Sequence, residues 1–81
     1  MSTKDIVKDF IIRELIREEG FELEDSAQLI ERGIIDSMGI ISLLDFLETE
    51  FSIQIESDEL VPENLDTVES ISELVGRKLA E

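Results

Sequence analysis

The sequence predicts an all-α fold, a small four-helix bundle with three longer helices and one short helix. Three segments, beginning near residues 3, 37 and 67, place apolar residues at the three- and four-residue spacings of amphipathic helices. Only Ile53 and Ile55 alternate as in a strand, and no second segment is suited to pair with them. Because 81 residues suffice for one compact domain, we expect a single domain spanning 1–81.

The first helix is expected to run to about Glu19, with Ser2 and Thr3 available to cap its start. Gly20 is predicted to end it, since glycine commonly follows a helix. The stripe expected to face the core consists of Ile6, Val7, Phe10, Ile11 and Leu15.

Residues 21–35 lack a long helical period but contain enough apolar anchors to predict an ordered connection. Long loops inside compact domains are often functional, and this one leads to Asp36 and Ser37. Asp36 is a good N-cap for a second helix that begins with Ser37 and runs to about Phe51. Its predicted core face is Ile40, Leu43, Leu44, Leu47 and Phe51.

The last part of the chain is expected to hold a short turn and a final helix. Ser57 is predicted to cap the turn, which runs to Val61 and is stopped by Pro62. Either Asp66 or Thr67 then caps a helix that runs to about Leu79. The residues predicted to form the inner core are Leu43, Leu47, Phe51, Ile55, Leu60, Leu65, Val68 and Ile71.

The composition argues against an enzyme acting alone. The chain has no His, Cys or Tyr, so the commonest general bases, nucleophiles and metal ligands are missing, and we expect no metal site. The acidic run 56–59 lacks the ligand spacing of a calcium loop.

The formal charge of −14 repels nucleic acid and anionic membranes, and it favours protein partners with basic patches. No signal-peptide pattern and no membrane-length apolar run is present. We therefore expect a cytoplasmic monomer without membrane insertion or nucleic-acid binding.

The segment from Leu29 to Met38 resembles the phosphopantetheine-attachment region of acyl and peptidyl carrier proteins. Its key matches are Gly33, Asp36, Ser37 and the apolar Met38. The resemblance extends over essentially the whole chain. It includes the first helix, the long loop, the Asp-Ser pair that opens the second helix, a Glu-x-Glu-Phe-x-Ile run over residues 48–53, and the final helix.

This resemblance implies an acyl carrier protein of the four-helix type, as used in fatty acid biosynthesis and other lipid or thioester metabolism. Ser37 would receive 4′-phosphopantetheine from coenzyme A through a phosphopantetheinyl transferase, and the arm's thiol would hold a thioester. Asp36 would assist that Mg²⁺-dependent transfer, which is the only step that involves the metal. The implied partners are the transferase, an acyl- or aminoacyl-loading ligase, and synthases or acyltransferases with basic docking patches.

Other interpretations of the same residues remain open. Asp36 and Ser37 could be only a helix cap, and the protein could be a non-covalent acidic adaptor for a basic partner. Met38 and Ile41 could be ordinary exposed residues, or they could form a docking patch with Asp45 and Glu48 as its charged rim.

The second helix also departs from one pattern of the family. Gly39 and Ser42 stand where many fatty-acid-synthesis carriers have acidic residues. This difference favours a specialised lipid, polyketide or aminoacyl pathway.

Overall fold

The computed structural model describes residues 2–18 and 20–81, and over that part of the chain it is helical without strands. Helix α1 spans Thr3–Phe10 and continues as a π-helical segment, Ile11–Ile16. Helices α2 and α4 span Ser37–Phe51 and Val68–Leu79. Between them lie a 3₁₀ turn, Ser57–Glu59, and the short helix α3, Pro62–Leu65. The predicted all-α architecture of three longer helices and one short helix is confirmed.

Helix α1 begins where it was predicted and ends earlier. The Ser2 hydroxyl accepts a hydrogen bond from the amide of Asp5 at 3.2 Å, which caps the helix. At the other end Arg17 adopts a left-handed conformation with φ of 60°, and its amide donates to the carbonyl of Ile12 at 2.7 Å. The helix therefore ends at Ile16, and the prediction that Gly20 ends it is wrong. Glu19, the expected last residue, lies outside the described residues.

The core is formed by side chains from all four helices and from the loop before α2. Helices α1 and α4 make the most extensive contact, and the inner side of α2 closes the core. Two predicted core residues, Phe51 and Ile55, are only partly buried, and Leu60 is 43% exposed, so its assignment to the core was wrong. The buried apolar residues are Val7, Ile11, Leu23, Leu29, Ile35, Leu43, Leu47, Leu65, Val68, Ile71, Leu74 and Val75.

The turn after α2 differs from its prediction in two respects. Glu56, not Ser57, is the N-cap of the 3₁₀ turn, because its own amide and the Glu59 side chain form a capping box. Pro62 does not stop a helix but opens α3 at its first position, where the missing N–H costs nothing. For α4, the cap is Thr67, whose hydroxyl accepts from the amide of Ser70 at 3.0 Å.

The loop before α2 is joined by hydrogen bonds to the start of α4, chiefly through Asp66. The amide of Leu29 donates to the Asp66 carbonyl at 2.6 Å. The amides of Ile30 and Glu31 donate to Asp66 Oδ1 at 2.8 and 3.3 Å. These bonds hold the loop that leads into α2 against the residues that precede α4.

A second tie joins the same loop to α1. Asp25 forms ion pairs with Lys8 at 2.7 Å and with Lys4 at 3.4 Å, and its carbonyl accepts from the amide of Glu69 at 3.1 Å. The hydrogen bond from Lys8 has the largest effect and lowers the pKa of Asp25. Desolvation opposes it, and the Lys4 ammonium lowers the pKa further by a smaller amount. This carboxylate therefore links the loop to α1 while its backbone links it to α4.

Replacing Asp66 by Ala should lower the free energy of unfolding by on the order of 1 kcal/mol, because two loop amides lose a carboxylate acceptor. Asp66→Asn keeps an acceptor oxygen and should lose less. Amide exchange at Ile30 and Glu31 should accelerate in the Ala variant. Denaturant unfolding and hydrogen exchange measure these effects, with Asp58→Ala as an exposed-carboxylate control. Unchanged exchange at both amides in Asp66→Ala would contradict this role of Asp66.

Candidate functional site

Asp36 sets the start of α2 with both its side chain and its backbone. Its backbone is extended, with φ of −101° and ψ of −174°, and its Oδ1 accepts from the amide of Gly39 at 2.8 Å. Its carbonyl accepts from the amide of Ile40 at 2.9 Å. The predicted capping role of Asp36 is confirmed, and Ser37 is the first residue of the helix.

Ser37 is exposed at the position where a helix best tolerates a negative group. The amides of a helix's first turn have no partner within the helix, and the helix dipole adds positive potential there. Asp36 Oδ1 already accepts from the Gly39 amide, which leaves the two earlier amides of the turn nearest to Ser37. A phosphate ester on the oxygen of the exposed Ser37 suits this site chemically, and the Asp36 charge partly opposes it.

Gly39 packs the first turn of α2 closely against its neighbours. A Cβ at this buried residue would lie 3.4 Å from Asp36 Oδ1 and from Ile35 Cβ, and 3.8 Å from Leu15 Cδ2. The end of α1 therefore supports the turn that carries Ser37. The packing of Gly39 against Leu15 was not predicted from the sequence, because Leu15 lies in a different helix.

An apolar groove of about 670 Å³ opens directly beside Ser37. It runs between α2 and the segment that contains α3, and Leu60 forms part of its edge. This position explains why Leu60 is exposed rather than in the core. The main apolar lining comes from Ile35, Ile40, Ile41, Leu44, Leu60 and Val61.

The outward side of α2 carries the predicted docking residues, but one of them has a structural contact. Met38 is 70% and Ile41 is 61% exposed, and Asp45 is exposed as well. Glu48 is half-buried, and its Oε2 accepts from the amide of Ile55 at 2.9 Å. Met38, Ile41 and Asp45 are thus presented to solvent near Ser37, whereas Glu48 holds the chain that follows α2.

No family model matches the chain. A probable acyl carrier protein, PigG, from Serratia sp. (strain ATCC 39006) is 40% identical over 55 residues, which cover 68% of this chain and 63% of that protein. The matched region therefore spans somewhat less than two thirds of that relative.

A solved structure named "Crystal structure of FAD-dependent dehydrogenase" contains a chain with a TM-score of 0.78 and 26% identity. The match covers 85% of this chain and 97% of the other, so the two chains are similar in size and fold.

The capping role of Asp36 can be measured separately from any role of its charge. Asp36→Asn should unfold at nearly the same free energy as the parent, because Asn caps helices as well as Asp. Asp36→Ala should lose about 1 kcal/mol, since the Gly39 amide loses its acceptor. Denaturant unfolding of both variants tests this, and equal losses in the two would show that the charge rather than the cap stabilises α2.

Proposed function

Because the chain belongs to the acyl carrier protein family, we propose that it holds acyl or aminoacyl intermediates as thioesters on a 4′-phosphopantetheine arm attached to Ser37. One observation carries the assignment to Ser37. It is an exposed serine at the first position of a capped helix, beside an apolar groove. The proposed unit is a single carrier domain over 1–81.

The chain's own part in the modification is to present a hydroxyl. In the transfer, Ser37 Oγ forms a bond to the pyrophosphate phosphorus that carries the pantetheine of coenzyme A. The bond from that phosphorus to the bridging oxygen breaks, adenosine 3′,5′-bisphosphate leaves, and the hydroxyl proton passes to a base of the transferase. The first-turn amides of α2 favour the resulting anion. The Asp36 carboxylate would assist the transferase with Mg²⁺, while the arm, once attached, supplies the thiol that holds the cargo.

Catalysis would come from the partner enzymes. The chain lacks His, Cys and Tyr, so deprotonation of Ser37 calls for a base from the transferase. The proposed partners are that transferase, a loading ligase, and synthases or acyltransferases that act on the tethered thioester. Their basic surfaces would be attracted by the charge of −14.

The groove beside Ser37 favours apolar contacts for the arm or its cargo. Its walls are mainly Ile, Leu and Val side chains, so an uncharged acyl or amino-acid side chain packs there at lower cost than a charged one.

We place the protein in a specialised lipid, polyketide or aminoacyl pathway of the cytoplasm. Because the similar solved structure bears the name of an FAD-dependent dehydrogenase, such an enzyme is a useful first candidate among those that process the tethered cargo.

The alternative function is a non-covalent adaptor that presents α2 to a basic protein. The exposed apolar pair Met38 and Ile41 favours it, because such a pair suits docking with or without an attached arm. The two functions differ in whether Ser37 is modified.

Incubation with coenzyme A, Mg²⁺ and a broad-specificity phosphopantetheinyl transferase should add one phosphopantetheine to the protein. Ser37→Ala should abolish the added mass, and Ser42→Ala, a change on the same helix, should retain it. Intact-mass spectrometry reads all three proteins. An adduct on Ser37→Ala would refute the site, and no adduct with several transferases would favour the adaptor.

The cap-preserving variant Asp36→Asn separates the charge of Asp36 from its structural role. If the carboxylate assists transfer, this variant should be modified roughly tenfold more slowly or worse while its stability stays near that of the parent. Initial rates by mass spectrometry measure the effect. A rate equal to that of the parent would leave Asp36 with a capping role only.

Met38→Ala and Ile41→Ala should each raise the KM of the transferase for the protein by about fivefold, because each removes apolar contact area at the docking surface. Their thermal stability should change little, as is usual for exposed positions. Leu79→Ala is the matched control, since Leu79 is 53% exposed at the end of α4. A large loss of stability, or an equal KM effect in the control, would contradict the docking role.

A further inference from the structure

The side of α2 away from the apolar groove faces α1 across a second cleft. Two hollows of about 470 and 430 Å³ lie side by side along this cleft and share Phe10, Glu14 and Phe46 in their walls. The α1 and α2 backbones approach each other less closely than do those of α1 and α4. The space between α1 and α2 is therefore lined by side chains and is not closed by tight backbone packing.

Two stacked aromatic rings form the floor of this α1–α2 cleft. The Phe10 and Phe46 rings lie 4.1 Å apart between centroids, with 13° between their planes, and both residues are partly buried. Each ring covers one face of the other in this stack, so a cation can lie only over the outer face of either ring, where the aromatic potential is negative. The floor thus offers apolar contact and a preference for positive charge together.

Carboxylates surround the floor on both helices. Glu14 on α1 and Asp45 and Glu50 on α2 are exposed at the edges of the cleft. Among the ion pairs of residues 2–18 and 20–81, none involves these three groups. The rim therefore retains negative charge that nothing in the described chain neutralises by direct pairing.

The nearby arginines of α1 have other contacts. Arg13 pairs with Asp9 at 3.3 Å, and Arg17 Nε donates to the carbonyl of Glu14 at 3.3 Å. Both residues line the cleft and offset part of its negative charge. Its walls still hold four carboxylates, those of Asp9, Glu14, Asp45 and Glu50, against two guanidinium groups, so the lining is net negative.

We infer that the α1–α2 cleft is a second docking site, which takes an arginine side chain from a partner protein. A guanidinium is planar, stacks on aromatic faces and donates to carboxylates along its edge, which matches a phenylalanine floor with a carboxylate rim. A lysine side chain would supply the positive charge, but it has no planar group to stack on the phenylalanine rings. The apolar groove beside Ser37 lies on the opposite flank of α2. A partner could therefore occupy this cleft while a phosphopantetheine arm extends from Ser37.

This inference extends the docking part of the proposed function, but its test does not need the arm. The unmodified protein is titrated with a short synthetic helical peptide that has one arginine in an otherwise neutral sequence. A second peptide carries citrulline at that position, which keeps the shape and removes the charge. Amide chemical shifts locate binding and give the dissociation constant.

The arginine peptide should bind at least about fivefold more tightly than the citrulline peptide, with the largest shifts at Phe10 and Phe46. The double variant Glu14→Gln with Glu50→Gln should remove most of that difference, because it neutralises the rim and conserves its shape. The matched control, Glu22→Gln with Glu73→Gln, changes the net charge equally at exposed positions elsewhere and should retain the difference. Thermal melts of both double variants confirm that they fold.

Three results would overturn the inference. They are equal binding of the two peptides, shifts centred on Met38 and Ile41, or equal losses in the cleft and control variants, which would indicate only the general field of the protein. Failure of Ser37 to accept phosphopantetheine would leave this cleft untouched. Conversely, a lack of peptide binding at the cleft would not affect the modification of Ser37, so the two proposals can fail separately.

Discussion

The hydrogen bonds from the loop before α2 to Asp66 are the constraint on which the position of the site depends. A loop of this length has many conformations open to it, and ordering it costs entropy that local contacts alone do not offset. Asp66 accepts from the amides of Leu29, Ile30 and Glu31 with its carbonyl and Oδ1, just before α4 begins. Since Leu29 and Ile35 are buried in the same region, the loop enters α2 from one direction. Asp36 then caps the helix, and Ser37 is left exposed at its first residue.

Helix α2 separates two flanks of different chemistry. The flank toward α3 is an apolar groove that opens at Ser37, whereas the flank toward α1 is a cleft with an aromatic floor and a carboxylate rim. The exposed side of α2 between them carries Met38, with Ile41 bordering the groove and Asp45 bordering the cleft. Under the proposed function, the apolar groove would contact the arm or its cargo, and the cleft would contact a partner protein. The surrounding negative charge speeds encounters with basic partners, and salt weakens that attraction over a Debye length of about 8–10 Å.

Local signals in the sequence were sufficient for the starts of α1 and α2 and for placing Ser37 at the first position of α2. The cap at Asp36, the apolar spacing of α2 and the cap at Ser2 act within a few residues, and each was predicted from its own segment. The errors arose where a contact between distant parts of the chain decides the structure. They also arose where the backbone conformation of one residue overrides the helix pattern of its segment. Arg17 ends α1 early by adopting a left-handed conformation, and Pro62 opens the short helix α3, although it was predicted only to stop the turn before it. Leu60 borders a groove whose other wall is α2, and Asp66 binds amides far along the chain. Helical periodicity carries no information about such contacts, because they depend on how the elements pack.

The most direct test of the central claim is to locate the modification within the folded protein. Fragmentation of the phosphopantetheinylated protein by tandem mass spectrometry assigns the added group to a residue. A covalent carrier with the site described here requires the whole added mass on residue 37, in fragments that separate Ser37 from Ser42. An added mass on Ser42, Ser52 or Ser57, or none on any serine, would contradict the claim that the start of α2 is where this protein carries its cargo.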